Sequence, residues 1–327
     1  MQKIKMGIVG YGNIGRAAED AIKQNPNCEL VAVFTRRNPE GLGVKTPGAV
    51  CRLLDDIAQF KGKIDVLLLC GGSKSDLPEQ TPMLAKDFNV IDTFDTHANI
   101  PQHMAAVDKS AKEGGNVGMI SVGWDPGLFS MLRLLEGAVL PCGADYTFWG
   151  KGVSQGHSDA IRRIDGVANA IQYTIPVEDA VNRARSGEQP KLTTRQKHTR
   201  ECFVVAKPGA DLKKIEQEIV SMPNYFADYD TTVHFVTEEE LKANHSKMPH
   251  GGMVMRSGVT SDGSSHIIEF KLNLESNPSF TSSVLVAFAR AAVRFSREGK
   301  SGAFTPFDVP LSYLLPIERD ELIKNLL

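Results

Sequence analysis

The stretch Lys5–Ala21, KMGIVGYGNIGRAAEDA, runs from an apolar strand-like segment through a glycine-rich turn into a helix-like segment. Its glycines Gly10, Gly12 and Gly15 have the G-x-G-x-x-G spacing. In a dinucleotide-binding fold the first glycine permits the tight turn, the second lets the backbone approach a pyrophosphate, and the third lets the helix lie close to the sheet. The spacing alone is a weak signal, but its position between a strand and a helix is the context that the motif requires. The alternative is a turn of the same shape that binds no ligand.

The helix that starts inside this motif supplies the second half of a phosphate site. Its first backbone N–H groups have no partner within the helix, and the helix dipole is positive at this end, so both attract a phosphate. We therefore expect the whole turn to contact a dinucleotide. Its residues are Gly10, Tyr11, Gly12, Asn13, Ile14 and Gly15.

The end of the next strand-like run, CELVAVFT, indicates which dinucleotide is bound. An NAD-binding protein places an acid about 20 residues after the glycine motif, where it pairs with the ribose hydroxyls. This chain has Thr35, Arg36 and Arg37 there. A hydroxyl and two guanidinium groups suit a 2′-phosphate, which a carboxylate would repel, and Arg36 can also stack on the adenine. The alternative is a solvated basic pair on a surface loop, but at this position the pattern favours NADP over NAD.

Further strand-like runs indicate the fold class. KIDVLLLCGG (63–72), FNVIDTF (88–94) and GNVGMISVG (115–123) are short and almost continuously apolar, as in parallel sheets buried on both faces. From about Tyr146 the pattern changes to the period-2 alternation of half-solvated antiparallel strands, in YTFWG, ECFVVAK, TTVHFV and SHIIEFKLNLES. We therefore expect an α/β fold, with a Rossmann-type doubly wound parallel sheet over 1–120 and a second α+β domain with a mixed or antiparallel sheet over 121–299.

Composition restricts the class of protein. The 327 residues suit two domains, and a net charge of -2 gives no electrostatic footprint for nucleic acid or an anionic membrane. No run approaches the roughly 20 apolar residues of a membrane span, and no apolar signal segment follows the first residues. The five cysteines are scattered without a C-x-x-C pair, which argues against a disulfide framework and favours a reducing compartment. We expect a cytoplasmic protein.

The ends of the later strands supply further candidates, because open α/β sheets bind ligands at the carboxyl ends of their strands. The candidates for cofactor contacts are Cys70, Gly71, Gly72 and Ser73 after one strand, and Asp92, Thr93 and Phe94 after the next. Cys70 is expected to pack rather than react, because nothing near it in sequence activates a thiol. Asp92 also suits a turn-forming role.

Two acids that follow these strands are candidates for binding an ammonium group. Asp95 lies in IDTFDTH and Asp125 in GWDPG, each just past a strand that is expected to point at the nicotinamide. The acids and histidines of the chain do not have the spacing of H-E-x-x-H or of a comparable metal motif. We therefore expect no metal.

A competing motif lies in GVSQG, residues 152–156. It matches the G-x-S-x-G nucleophile elbow of serine hydrolases, with His157 and Asp159 beside it. In that fold the other members of the triad come from distant segments of the chain, and a nucleotide-type fold already occupies the N-terminal part. We interpret the stretch as a glycine-flanked substrate loop.

Seven motifs together resemble one family, the meso-diaminopimelate dehydrogenases. They are GYGNIG, FTRR, GWDPG, TFWG, SQGHSDAIRRI, MPNYF and MPHGG, and the resemblance extends to GKSGAF at 299–304. It implies reversible NADP-dependent oxidative deamination of the D-centre of meso-2,6-diaminopimelate to L-2-amino-6-oxopimelate and ammonia, on a route to lysine and to the cross-linking amino acid of peptidoglycan. It also implies a homodimer, in which residues 300–327 pack back on the first domain.

The resemblance assigns roles to particular residues. Asp95 and Asp125 match the positions that hold the reacting amine beside the nicotinamide. The wall that orients the carbon chain is matched by Trp124, Phe148 and Trp149, and the loop that faces the D-centre carboxylate by Gln155 and Gly156. The set that recognises the L-centre is matched by Thr174, Arg200, His250 and Asn277, with Arg200 as the bidentate partner of the carboxylate.

Two questions stay open at the level of the sequence. The amine must lose a proton, so a base is needed; it is His157 or a water held by Asp95 and Asp125, and the alternative role of His157 is a hydrogen bond that orders its loop. The alternative functions are a D-amino acid dehydrogenase of broader specificity, a related Rossmann oxidoreductase such as a dihydrodipicolinate reductase or homoserine dehydrogenase, and a non-catalytic NADP-binding module.

Overall fold

The computed structural model describes residues 3–327 as an alternation of strands and helices. The strands are β1 (Ile4–Val9), β2 (Cys28–Thr35), β3 (Val50–Leu53), β4 (Val66–Leu69), β5 (Val90–Asp92), β6 (Val117–Met119), β7 (Gly143–Trp149), β8 (Gly152–Val153), β9 (Val167–Pro176), β10 (His198–Ala206), β11 (Asp230–Phe235), β12 (His250–Val259), β13 (Ser265–Leu274) and β14 (Gly302–Phe304). The α-helices are α1 (Asn13–Lys23), α2 (Leu77–Ala85), α3 (Ile100–Gly114), α4 (Leu128–Val139), α5 (Gln155–Arg162), α6 (Glu178–Arg185), α7 (Thr194–Lys197), α8 (Leu212–Val220), α9 (Glu238–His245), α10 (Asn277–Arg297) and α11 (Arg319–Leu326).

The chain divides into two compact units. The first extends to Met131 and resumes at Pro278–Leu327, and the second is Leu132–Asn277. The predicted division placed 121–299 in the second domain, so the observed boundaries differ from it at both ends. Helix α10 accounts for most of the difference, because its Leu285 and Phe288 lie in the same apolar core as Met6 of β1. An amphipathic pattern shows which face of a helix is buried, but not which sheet that face covers.

The first unit contains a seven-stranded parallel sheet in the order β14-β6-β5-β4-β1-β2-β3. One of its cores joins the sheet to α1 and α10, and the other joins it to α2 and α3. Strands β4, β5 and β6 are buried along their whole length, which explains their continuous apolar sequence. The predicted Rossmann-type doubly wound sheet is confirmed.

The second unit contains two smaller sheets. One has the order β11-β10-β9-β8, in which β10 and β11 are parallel and the other pairs antiparallel; the other is antiparallel with the order β13-β12-β7. This confirms the predicted α+β part with mixed and antiparallel strands. The sequence predicted β7, β10, β11 and β13 but not β9 or β12, and β12 is hidden because it starts with the turn-like pair Gly251–Gly252.

Candidate functional site

The glycine turn after β1 has the backbone of a phosphate-binding loop. Gly10 has a φ of 89°, a region that favours glycine. A Cβ at Gly15 would overlap the carbonyl oxygen of Gly10, so α1 can start this close to the turn only with glycine there. Helix α1 begins at the exposed Asn13, followed by the half-buried Ile14, and its cap residue Gly12 supplies no side-chain acceptor. A helix N-terminus without an internal cap fits the pyrophosphate of a dinucleotide.

Tyr11 of this turn points into the protein. Its ring is buried and its hydroxyl donates to Glu19 on α1. The other carboxylate oxygen of Glu19 accepts the backbone N–H groups of Lys45 and Thr46 at 2.7 and 2.6 Å. Burial opposes the ionisation of Glu19, but the hydrogen bonds from Tyr11, Thr46 and Lys45 outweigh it and lower the pKa of Glu19. The ring of Tyr11 therefore joins the turn to the 45–46 loop, which leaves only its backbone for the predicted cofactor contact.

The three residues predicted to clamp a 2′-phosphate lie at the end of β2, beside this turn. Thr35 is buried, and its Oγ1 accepts the backbone N–H of Arg37 at 3.1 Å. The Arg37 guanidinium donates from Nη2 to the carbonyl oxygen of Tyr11, also at 3.1 Å. The Arg36 side chain is 67% exposed, with its Nη2 at 2.6 Å from Oδ1 of Asp76. Two guanidinium groups next to the glycine turn fit a phosphate on the ribose.

The loop after β4 contains a buried thiol and a connecting serine. Burial raises the pKa of Cys70 to about 12, which agrees with packing rather than reactivity. The next two residues are Gly71 and Gly72, and Gly72 donates its backbone N–H to Oδ2 of Asp76 at 2.7 Å. Ser73 accepts the backbone N–H of Asp95 at 2.9 Å, so it joins the loop after β4 to the loop after β5.

Asp92, at the end of β5, is an internal carboxylate. It is completely buried; its Oδ1 accepts the backbone N–H groups of Phe94 and Ser121, and its Oδ2 accepts from the Thr81 hydroxyl and lies 2.6 Å from Nε2 of His103. These four contacts join β5, α2, α3 and the residues after β6. The position of Asp92 therefore argues against the predicted cofactor contact by its side chain, and Asp92 shapes the loop instead.

The three residues after Asp92 differ in how far their side chains are buried. Phe94 is buried and stacks on His103 with ring centroids 4.1 Å apart. Its predicted contact with the cofactor is therefore not supported by its position, because its ring serves the core. Thr93 is half-buried, and Asp95 is exposed, with its carboxylate accessible to a ligand.

The loop after β6 contains the second candidate acid. Trp124 is buried, with its ring edge against Phe129 at a centroid distance of 5.4 Å. It pairs with Gly127 in a single β-bridge, which closes the turn around the half-buried Asp125. Asp95 and Asp125 both belong to the first unit.

In the second unit, Arg200 of β10 is a buried cation. It is 6% exposed, and its Nη1 donates to the Thr174 hydroxyl on the neighbouring strand β9, the residue directly opposite. Its guanidinium carbon lies 3.9 Å from the ring centroid of Tyr229. Among residues 3–327, no carboxylate pairs with it and its Nε has no hydrogen-bond partner. A buried guanidinium with neutral neighbours is suited to a ligand carboxylate.

His157, the candidate base, lies in the first turn of α5. Its Nδ1 is 2.7 Å from the hydroxyl of Ser154, and its ring lies edge-on to Tyr225 and Phe226. Burial, followed by the nearby charge of Arg200, lowers the pKa of His157 to about 4. The imidazole is therefore neutral at pH 7, but it is a weak proton acceptor.

The two aromatic residues at the end of β7 differ in their exposure. Trp149 is 38% exposed, its ring stacks on His198, and its backbone N–H donates to Nε2 of His198 at 2.9 Å. Burial, then Arg200 and Lys197, lower the pKa of His198 to about 3, which agrees with its role as an acceptor. Phe148 is completely buried in a separate core. Its burial argues against its predicted place in the substrate wall. The exposed ring of Trp149 is accessible to a ligand, and its place in the wall stays a prediction.

The other predicted substrate residues lie around one loop of the second unit. The exposed Gln155 places its Nε2 3.0 Å from Sδ of Met248, with Gly156 exposed beside it. The backbone N–H of Asn277 donates to the carbonyl oxygen of Met248 at 3.1 Å. His250, half-buried, starts β12 two residues further on. Residues that are distant in sequence are thus brought together next to 248–250.

Known proteins match both the sequence and the fold. Residues 123–276 match the family described as the diaminopimelic acid dehydrogenase C-terminal domain. A meso-diaminopimelate D-dehydrogenase of Ureibacillus thermosphaericus is 63% identical over 327 residues, which cover 100% of each chain. The chain belongs to the meso-diaminopimelate D-dehydrogenase family.

Solved structures of this family and of its engineered relatives have the same fold. A mutant meso-diaminopimelate dehydrogenase of Clostridium tetani E88, with DAP, has 55% sequence identity and a TM-score of 0.95, covering 99% of this chain and 100% of its own. An engineered D-amino acid dehydrogenase bound to NADP⁺ has 43% identity and a TM-score of 0.87, covering 100% of both chains.

The Clostridium tetani mutant has six replaced residues. The replaced types are Gln, Thr, Arg, Pro, His and Asn, and they occur in this family member with the same spacing as Gln155, Thr174, Arg200, Pro249, His250 and Asn277. Five of these six residues were predicted as substrate-binding from the sequence. Pro249, next to His250 in the MPHGG motif, was not among the predicted residues.

Two further residues next to the predicted ones were not singled out from the sequence. They are His198, which stacks on Trp149, and Tyr229, which faces Arg200. Ser154, which bonds to His157, lies in the predicted substrate loop 152–156. His198 had a readable signal, because it is two residues before Arg200 on one strand and so shares its face. Tyr229 had none, since its position depends on how β11 pairs with β10.

Within residues 3–327, no helix is both long enough and apolar enough to cross a membrane. The same residues contain no group of three or more His, Cys, Asp or Glu side chains that could hold a metal ion.

Proposed function

We propose that this chain catalyses the reversible NADP-dependent oxidative deamination of the D-centre of meso-2,6-diaminopimelate to L-2-amino-6-oxopimelate and ammonia, in lysine and diaminopimelate biosynthesis. The observation that carries the proposal is Arg200, a buried guanidinium opposite Thr174 with no acidic partner among residues 3–327. Such a group lowers its desolvation cost when a ligand supplies a carboxylate. A substrate with a second carboxylate, far from its reacting centre, meets this requirement.

The remaining substrate residues extend this recognition. His250 and Asn277 lie in the same unit as Arg200, and their polar groups suit the ammonium and carboxylate of the L-centre. Gln155 and Gly156 provide an exposed amide and an accessible backbone for the D-centre carboxylate. Trp149, half-exposed and held by His198, forms the apolar wall for the carbon chain.

NADP, when bound, supplies the nicotinamide ring that accepts the hydride of the D-centre α-carbon. Its pyrophosphate fits the uncapped start of α1, and its 2′-phosphate fits Arg36 and Arg37, with the Thr35 hydroxyl oxygen holding the turn between them. The structural similarity of this chain to the engineered D-amino acid dehydrogenase that is bound to NADP⁺ supports the same cofactor.

The acids of the first unit serve the amine. Asp95 is exposed and Asp125 half-buried, so both can face an ammonium group. Of the two hypotheses for the base, the pKa of about 4 at His157 favours the water held by Asp95 and Asp125. His157 then orders the substrate loop through its bond to Ser154.

A spectrophotometric assay tests the proposal. NADPH formation is measured with NADP and meso-diaminopimelate, with D-lysine and L-glutamate as comparison substrates. We expect rapid turnover of meso-diaminopimelate, and none of L-glutamate. Equal rates with several D-amino acids would favour the broader D-amino acid dehydrogenase, and no NADPH with any D-amino acid would leave a non-catalytic NADP-binding protein.

We also propose that the enzyme is a homodimer. On α4, the apolar residues Leu134, Leu135 and Val139 are exposed by about half or more of their surface, and an exposed apolar helix face is a typical interface feature. Light scattering after size exclusion measures the mass. We expect a dimer that Leu134→Glu weakens, while Leu212→Glu, at an exposed leucine of α8, leaves it unchanged. A monomeric wild-type protein would contradict this.

A cytoplasmic location is the remaining part of the proposal. All five cysteines are free, and Cys28, Cys70 and Cys202 are buried as thiols. Free thiols in this number agree with a reducing compartment. Fractionation of the native host, with an antibody against the chain, is the direct measurement.

A further inference from the structure

Asp76 occupies the cap position of α2 but does not cap the helix. Aspartate at this position normally accepts a backbone N–H from the first turn of its own helix. Here Asp76 is the residue before Leu77, and its side chain makes no such bond. The carboxylate instead faces two groups outside the helix, so the usual explanation for aspartate at this position does not hold.

The two oxygens of Asp76 have different partners. Oδ1 lies 2.6 Å from Nη2 of Arg36, and Oδ2 accepts the backbone N–H of Gly72 at 2.7 Å. Asp76 is well enclosed, with a side chain 13% exposed, whereas Arg36 is 67% exposed. A Cβ at Gly71 would lie 2.7 Å from the Cβ of Asp76, so the loop is packed closely around it. Asp76 is therefore the enclosed member of the pair and Arg36 the exposed one.

The pair crosses the part of the sheet where the cofactor is expected. Strand β1 lies between β2 and β4 in the sheet. Arg36 follows β2, Asp76 follows β4, and the glycine turn follows β1. A bond from Arg36 to Asp76 therefore spans the carboxyl end of β1, where the adenosine half of a dinucleotide lies in such folds.

We propose that Asp76 is a positioning residue for NADP recognition, which holds Arg36 in place for the 2′-phosphate. Among residues 3–327, Asp76 is the one hydrogen-bond partner of the Arg36 side chain. A guanidinium has five N–H donors in a planar fork, so the bond to Asp76 leaves most of them for a phosphate. Holding a long exposed side chain before the ligand arrives reduces the entropy that binding costs. This inference rests on the proposed 2′-phosphate clamp.

The substitution Asp76→Asn tests it, because an amide has one acceptor oxygen where the carboxylate has two. Asparagine can serve Gly72 or Arg36 but not both, and it has no charge. We expect the KM for NADP to rise by about 3- to 10-fold, from the usual cost of ordering one side chain. The kcat with meso-diaminopimelate and the KM for NAD stay within about twofold, since NAD has no 2′-phosphate.

A double-mutant cycle with Arg36→Ala separates this inference from the clamp itself. If Asp76 acts through Arg36, Asp76→Asn has no further effect in the Arg36→Ala background. The matched control is Asp87→Asn, which removes another ion pair of the first unit, that with Lys61, beyond the far end of α2. We expect it to change neither KM.

Each other outcome is decisive. An unchanged or lowered KM for NADP in Asp76→Asn overturns the proposal, the second because it would make Asp76 a competitor of the phosphate. Equal increases in the KM for NADP and the KM for NAD also overturn it, because they would assign the effect to the shape of the 72–76 loop. If Arg36→Ala leaves the NADP-to-NAD ratio of kcat/KM unchanged, the clamp fails. If Arg36→Ala lowers that ratio while Asp76→Asn leaves the KM for NADP unchanged, only the proposed role of Asp76 is refuted.

Discussion

Replacing Arg200 by methionine should convert a selective enzyme into one that no longer distinguishes its substrate by the distal carboxylate. D-Lysine is the matched comparison, since it equals meso-diaminopimelate without the L-centre carboxylate. Hydrogen bonds to charged groups contribute about 1.5–3 kcal/mol. At about 1.4 kcal/mol per tenfold change, kcat/KM for meso-diaminopimelate should fall by about 10- to 150-fold. The kcat/KM for D-lysine should change by no more than about threefold.

The surroundings of Arg200 supply a second measurement that does not depend on turnover. Its charge lowers the pKa values of His157 and His198, although burial is the larger cause at both. Arg200→Met should therefore raise both pKa values, which NMR titration of the imidazole protons measures. Arg195→Met, which removes an exposed arginine paired with Asp230, is the control and should leave both values and both substrates unaffected.

Equal losses for meso-diaminopimelate and D-lysine in Arg200→Met would refute the reasoning. They would mean that Arg200 maintains the architecture around Thr174 and Tyr229 instead of binding a carboxylate. A thermal unfolding curve accompanies the assay. Since the guanidinium is buried with its Nε unpartnered, the methionine variant should be no less stable than the parent.

Three further predictions concern the cofactor, the base and the stability at low pH. Arg36→Ala/Arg37→Ala should lower the NADP-to-NAD ratio of kcat/KM by at least about tenfold, by loss of charge-assisted bonds; an unchanged ratio would contradict the clamp. His157→Asn should lower kcat while the shape of its pH profile between pH 6 and 9, above the pKa of about 4, stays the same; loss of one limb would restore His157 as the base. The pKa of Glu19 is lower in the folded protein than its ordinary value of 4.5, so its contribution to stability is complete above that pH and is lost as the pH falls through the folded value. Glu19→Gln should therefore reduce the pH dependence of the free energy of unfolding in this acidic range, measured by urea unfolding. An unaltered pH dependence would exclude Glu19 as its source.

The sequence was most informative where the chemistry is local. The turn Gly10–Gly15 and the proposed clamp Thr35–Arg37 each lie within one short segment, so residue type and spacing were sufficient to predict where they lie in the fold. The alternation of β13 was equally readable. In each case the geometry depends on neighbours in the chain, which a sequence displays directly.

Contacts between distant segments were the part that the sequence did not reveal. Asp92 and Phe94 were predicted to contact the cofactor because they lie at the end of a strand. Both side chains instead contact His103, eleven residues beyond Asp92, inside the core. Phe148 was assigned to the substrate wall beside Trp149, but the direction of a strand residue depends on which face its sheet buries. Helix α10 was predicted in the second domain, but it packs in one core with Met6 of β1, which is more than 250 residues away in the chain.

The glycine pair at the start of β12 has a consequence for how this enzyme can change. A Cβ at Gly251 would overlap the carbonyl oxygen of Leu272, and one at Gly252 that of Phe148. Both obstacles are backbone, which cannot rotate away, so these two positions are closed to every other residue. His250, immediately before them, is half-buried and already carries a side chain. With the proposed role of His250 in substrate binding, a mutant library aimed at new amino acids should vary position 250 and spare 251 and 252.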